Sequence, residues 1–251
     1  MTINRRYEKI YSPAIGREMS VLAFGHYGSP VIAFPSGGGQ FYDFENNDMI
    51  AVLLPLIEQG KIKVYCPAGL DHETWLNQEA DPHWQAVRYN DYQDFIINNL
   101  VPTIRFDCRT PDIRIGLTGC SLGAYQAANF SLKFPHIFDY ALCMSGRYDL
   151  EAIIGRASDS TEIYFNNPIA YIHHLHGDGL SHVQHNTHLT LVCGQGAWED
   201  KCLHDTHRLA DLLGEKQISH ERDIWGQDVE HHWHWWRKQI AHHFNRRYGH
   251  H

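Results

Sequence analysis

Five residues, Gly119-Cys120-Ser121-Leu122-Gly123, stand between an alternating apolar stretch (Ile113, Ile115, Leu117) and a helical pattern from Leu122 to Phe134 that Pro135 stops. A Gly-x-Ser-x-Gly run with a strand before it and a helix after it forces a chain reversal that flanking Cβ atoms would block. It holds the central serine in a strained backbone conformation with its hydroxyl exposed. It also aims the N-terminus of the next helix, with its free N–H groups, at that hydroxyl. Cys120 is the other nucleophile in the segment. At the second position of such a turn its side chain is expected to face the core.

The remaining periodicities agree with an α/β chain. Val21–Phe24 and Val31–Phe34 read as strands around the turn Gly25–Pro30, and Asp48–Gln59 as a helix closed by Gly60. Lys61–Cys66 is a strand, and Asp81-Pro82 opens one long helix carrying Trp84, Val87, Tyr92, Phe95, Ile96 and Leu100. Phe138–Met144 and Leu189–Cys193 are strands, and Cys202–Leu213 is a helix. Gln217–Trp225 is the last strand, before an amphipathic helix that runs to about Tyr248. The stretch 149–186 is irregular and His-rich, a place for a cap-like segment within one domain spanning 1–251. Strands alternating with helices predict a mostly parallel sheet, whose ligands gather at the carboxyl ends of the strands.

Composition narrows the function classes. Of 251 residues, 43% are hydrophobic and 20% charged, the balance of a globular chain. The longest apolar run, Ala51–Ile57, is broken by Pro55 and too short to span a bilayer. No apolar segment follows Arg5-Arg6 as a secretory signal would require. With a net charge of −8 and scattered Lys and Arg, the chain lacks the basic face that nucleic acid needs. The six Cys form no Cys-x-x-Cys pair and read as small buried hydrophobes in a reducing cytoplasm. Asn129-Phe130-Ser131 matches a glycosylation acceptor but falls inside a packed helix, and His250-His251 reads as a tag remnant.

A serine hydroxyl needs a base, itself oriented by a carboxylate, and in this architecture they follow in the order Ser, acid, His. After the strand Leu189–Cys193 the loop ends in Glu199-Asp200, both candidate acids. After the last strand, His231 and His232 are both candidate bases. The glycine loop Ser36-Gly37-Gly38-Gly39, directly after a strand, suits a backbone donor to an oxyanion. A dinucleotide fingerprint there fails, because Tyr42 stands where its third glycine belongs. The chain has twenty His, with clusters such as His173-His174-x-His176, His204-x-x-His207 and His231-His232-x-His234, yet no His-Glu-x-x-His occurs and no metal is expected. Trp75 and Trp198, and Phe41 beyond the glycine loop, are expected to line the substrate pocket.

These residues together resemble the esterase D type branch of the α/β-hydrolase superfamily. The likeness runs from Tyr11-Ser12 and Gly16-Arg17-Glu18-Met19 through Phe34–Gly39, Gly119–Gly123 and Ser145-Gly146 to Cys193–Gly196 and the Trp-rich end. It implies a mostly parallel central sheet with antiparallel N-terminal strands and helices on both faces. It implies a serine esterase acting on small-molecule esters, with no cofactor and no nucleic-acid or membrane partner. By its motifs the triad is Ser121, Asp200 and His231, and the oxyanion donors are the Gly38 and Leu122 N–H groups. Relatives of this type carry Asp where this chain has His232. That departure and the His clusters support the alternative, a non-catalytic binding or regulatory protein of the same fold.

Overall fold

A computed structural model describes residues 4–249. Met1, Thr2, Ile3 and the pair His250-His251 lie outside the described residues. The strands are β1 (Arg5–Ser12), β2 (Arg17–Phe24), β3 (Ser29–Phe34), β4 (Ile62–Pro67), β5 (Ile115–Cys120), β6 (Phe138–Met144), β7 (His188–Cys193) and β8 (His220–Ile224). They form one sheet in the order β1-β2-β4-β3-β5-β6-β7-β8. β2 pairs antiparallel with β1 and β4, and every pair from β4 across to β8 is parallel. β3 to β8 therefore present their carboxyl ends along one edge.

Both faces of the sheet are covered, so the central strands are apolar throughout rather than alternating. In β3, Ile32 and Phe34 enter the core beneath the helices Pro82–Asp94, Leu122–Lys133 and Asp200–Glu215. Val31 and Ala33 enter the opposite core, beneath Met49–Glu58 and Trp233–Tyr248. Phe34 stacks on Phe130 of the central helix at 5.2 Å. No helix among the described residues is long and apolar enough to cross a membrane.

Three features depart from the periodicity. β1 escapes it because an edge strand of alternating charges, Arg5, Arg6, Glu8 and Lys9, carries little apolar signal. Such charges also discourage pairing with a second sheet edge. The long helix is three pieces: Pro82–Asp94, a widened π turn over Phe95–Leu100, and Val101–Asp107. The stretch 149–186 holds four short helices, Leu150–Ile154, Thr161–Tyr164, Pro168–His174 and Gly177–Asn186. Asn166 ties this stretch down, accepting from Gln93 at 2.6 Å and, through its carbonyl, from the Tyr125 hydroxyl at 2.8 Å. Asn129 is fully buried in its helix, where no glycan would fit.

Candidate active site

β5 delivers Ser121 to the carboxyl edge with φ +56° and ψ −118°, a conformation that an L side chain adopts only under strain. The two glycines are required by crowding. A Cβ on Gly119 would lie 2.3 Å from the Gly123 backbone, and one on Gly123 would lie 2.4 Å from the Pro35 carbonyl oxygen. The Ser121 N–H still reaches the Met144 carbonyl of β6 at 2.9 Å, so the turn begins without a break in pairing. Leu122 then opens the helix Leu122–Lys133, whose first N–H groups face the same edge. Cys120 points into the core with no exposure, and burial raises its thiol well above the ordinary value.

Two later loops are laced together beside it. Gly196 N–H donates to the Val229 carbonyl at 2.8 Å, and His231 N–H to the Ala197 carbonyl at 3.0 Å. The close approach needs glycine: a Cβ on Gly194 would stand 2.1 Å from the Val229 oxygen. The lacing brings His231 Nδ1 to 3.3 Å from Glu199 Oε2. Asp200, expected as the acid, instead lies on the solvent side as the first residue of its helix. Trp198 at φ +68° turns the chain so that Glu199 faces inward at the helix start. The longer Glu side chain then spans the depth between helix and histidine, while the Asp charge sits favourably in the first helical turn.

Glu199 is completely buried and closely held. The Ser145 hydroxyl donates to Oε1 at 2.5 Å and itself accepts from Trp236 Nε1 at 2.9 Å. The Cys193 thiol donates to Oε2 at 3.4 Å. Cys202 Sγ stands 3.7 Å from His231 Nδ1, its thiol pushed up to about 12 by burial. Trp236 also meets the His231 ring edge-on at 4.8 Å. His232 is turned away: its Nδ1 accepts the His234 N–H at 3.2 Å and caps the last helix. No hydrogen bond joins the Ser121 hydroxyl to His231 among the described residues.

The glycine loop is pinned from both sides. Ser36 donates its N–H and its hydroxyl to Asp43 Oδ2, each at 2.8 Å. Gly38, expected as an oxyanion donor, gives its N–H to Asp71 Oδ2 at 3.1 Å. That bond, made at φ +74°, commits its N–H to a buried carboxylate. Gly37 is the loop residue against Leu122, with its Cβ position 3.7 Å from the Leu122 Cβ. Its N–H makes no hydrogen bond among the described residues. Asp71 is 3% exposed and also accepts from Gln126 Nε2 at 3.1 Å. Burial drives its carboxyl up to about 7, the Gly38 N–H opposing and the Asp43 charge adding.

The three expected pocket residues separate. Trp75 is 1% exposed and belongs to the core, with ring contacts to Tyr89 at 4.8 Å and Tyr125 at 6.3 Å. Trp198 is 86% exposed beside the acid loop. Phe41 is half-buried between Tyr7 and Tyr42. Asp71 and Cys202 bear on the site without a motif to mark them, whereas Ser145, Cys193 and Trp236 fall in segments of the family likeness for which no role was expected. A cavity of about 1010 Å³ is lined by Arg6, Lys61, Lys63 and Arg109, among others, at the amino ends of β3 and β4. That is the far side of the sheet from Ser121.

The profile of the family described as "Putative esterase" matches residues 12–246. The chain belongs to this esterase family. It is an ester hydrolase with the α/β-hydrolase fold. No curated protein matches it. A ferulic acid esterase structure superposes with a TM-score of 0.74 at 14% identity, covering 96% of each chain. The S-formylglutathione hydrolase FrmB from Staphylococcus aureus gives 0.72 at 13% identity, over 98% of this chain and 97% of that one. An S-formylglutathione hydrolase from Agrobacterium tumefaciens gives 0.69 at 14% identity, over 99% of both chains.

Proposed function

We propose that Ser121 is the nucleophile, His231 the base and Glu199 the orienting acid, with the Gly37 and Leu122 N–H groups receiving the oxyanion. The observation that carries this reading is the placement of strained Ser121 and of His231, paired with the buried Glu199, at one sheet edge. In an unliganded site the Ser–His hydrogen bond is often long and tightens on substrate binding. His231 Nε2 takes the Ser121 proton as Oγ attacks the ester carbonyl, and the two N–H groups hold the tetrahedral oxygen. The imidazolium, its Nδ1–H directed at Glu199, then protonates the leaving alcohol. Water repeats the sequence on the acyl-enzyme. No cofactor enters any step, and a thioester would use the same groups.

The substrate is a small-molecule ester. Trp198, 86% exposed one residue before Glu199, offers an aromatic face to a substrate group. Residues 1–251 are read as one domain, with 149–186 as its flanking cap. The six Cys are free and five are buried, which supports a reducing, cytoplasmic setting. A fluorophosphonate probe tests the assignment. It should label one serine, and Ser121→Ala should lose both the label and roughly 10⁴-fold in kcat. Label on another serine, or full activity in Ser121→Ala, would overturn it.

A further inference from the structure

Glu199, Cys202 and His231 offer one carboxylate oxygen, one sulfur and one ring nitrogen, all within 4.8 Å of one another. Among the described residues no other three such side chains converge in this way, the surface His runs included. The spacings suit a tetrahedral ion. Bonds of about 2.3 Å to sulfur and about 2.0–2.2 Å to nitrogen and oxygen give S···N edges near ~3.6 Å and N···O edges near ~3.4 Å. The observed edges are 3.7 Å for Cys202 Sγ to His231 Nδ1 and 3.3 Å for Nδ1 to Glu199 Oε2.

The chain brings these donors together rigidly. Glu199 and Cys202 lie three apart across the start of the helix Asp200–Glu215, so they share one helical face. His231 is locked opposite them by its N–H to the Ala197 carbonyl. Thiolate, carboxylate and neutral imidazole form a donor set suited to zinc, and their two negative charges cancel a dication. The His231 side chain keeps 21% exposure, whereas Glu199 and Cys202 are buried.

We propose that Glu199, Cys202 and His231 form an inhibitory site for a zinc-class divalent cation, which turns the acyl-transfer site off when bound. The inhibitory part rests on the reading of His231 as the base. On binding, the Cys202 S–H bond breaks, its proton leaves to solvent and a metal–sulfur bond forms. The Nδ1 lone pair takes the metal, and the single proton of the neutral imidazole moves to Nε2. Nε2 then cannot accept the Ser121 proton, and Glu199 is withdrawn from the histidine. Nothing is oxidised or reduced, and chelation reverses each step.

Cadmium titration reads the site directly, through the ultraviolet charge-transfer band of a Cd–thiolate bond. One equivalent should produce the band in the wild type and none in Cys202→Ser, with Cys202→Ala as a second variant and a thermal melt recorded for each. In parallel, the ratio of ester hydrolysis with and without Zn²⁺ is measured within each protein, then again after EDTA. Wild type should be inhibited and restored. The variants should need at least roughly 100-fold more zinc. A wild type without the band, a band that survives in both variants, or equal zinc inhibition in all three proteins overturns the proposal. The band reads binding whether or not ester is turned over, so failure of the acyl-transfer reading shows separately, as a band without turnover.

Discussion

Glu199 and Asp200 are neighbours with the same charge, and only burial separates their roles. Glu199→Gln should lower kcat by roughly 10³–10⁴-fold, because the neutral amide removes the charge partner of the imidazolium and can hold the imidazole in the wrong tautomer. Asp200→Asn should stay within about twofold, as surface substitutions generally do. Equal losses in a side-by-side assay would refute the choice of acid. Asp71 supplies a second test, of stability. Its carboxyl, at about 7 in the folded chain, lies above the ordinary value of about 3.9. Between those values the folded chain keeps a proton that the unfolded chain has released. Stability therefore falls as pH rises from about 4 to about 7, and the loss is complete above that. Among the described residues no cation is paired with this carboxyl, and the charge that bears on it is that of Asp43. Asn keeps an oxygen for the Gly38 N–H, so Asp71→Asn should exceed the wild type by a few kcal/mol at pH 8, on the order of the shift itself. The gap should close at pH 4. Urea unfolding at the two pH values checks this, and a variant less stable at pH 8 would contradict it.

Among the elements, the last helix and the nucleophile turn carry separable expectations. His232 caps the helix Trp233–Tyr248 through its ring nitrogen and stands away from Glu199. His232→Ala should cost about 1 kcal/mol of stability. It should change kcat by less than about tenfold, whereas His231→Ala should match Ser121→Ala. A kcat loss in His232→Ala as large as that of His231→Ala would reverse the two histidines. Gly123→Ala places a methyl 2.4 Å from a backbone oxygen of the glycine loop. The strain exceeds ordinary overpacking of about 1–3 kcal/mol, because backbone on both sides must move. A melting temperature equal to the wild type's would show that the turn and loop are not packed as described. These contacts explain what periodicity could read. Strong apolar strands such as Phe138–Met144 are legible because both of their faces are buried. β1 and the short helices of 149–186 are not, because tertiary contacts such as those of Asn166 hold segments with weak patterns of their own.

Across the whole molecule, Asp107 ties the last turn of its helix to β1 and β4. It accepts from Arg6 at 2.6 Å and from the Tyr65 hydroxyl at 2.5 Å, and it pairs with the buried Lys63. Burial pushes this carboxyl up, but the bonds from Arg6, Lys63 and Tyr65 outweigh it and hold it well below the usual range. A carboxyl lowered in the fold contributes stability above its unfolded value of about 3.9, and loses it as pH falls toward the folded value. Asp107→Asn should therefore lower the melting temperature at pH 7 and flatten the acid limb of a stability–pH curve. An unchanged acid limb would count against the bridge. From residue order alone came the α/β class and the turn that presents Ser121, since short-range sterics and burial periodicity are written locally. His231 is preferred over His232 only through the family resemblance. Which carboxylate meets His231, which glycine N–H is free and whether Trp75 lines a pocket were settled only by the folded chain. Each depends on where segments far apart in sequence, β7 with β8 and the glycine loop with Asp71, come to within a hydrogen bond of one another.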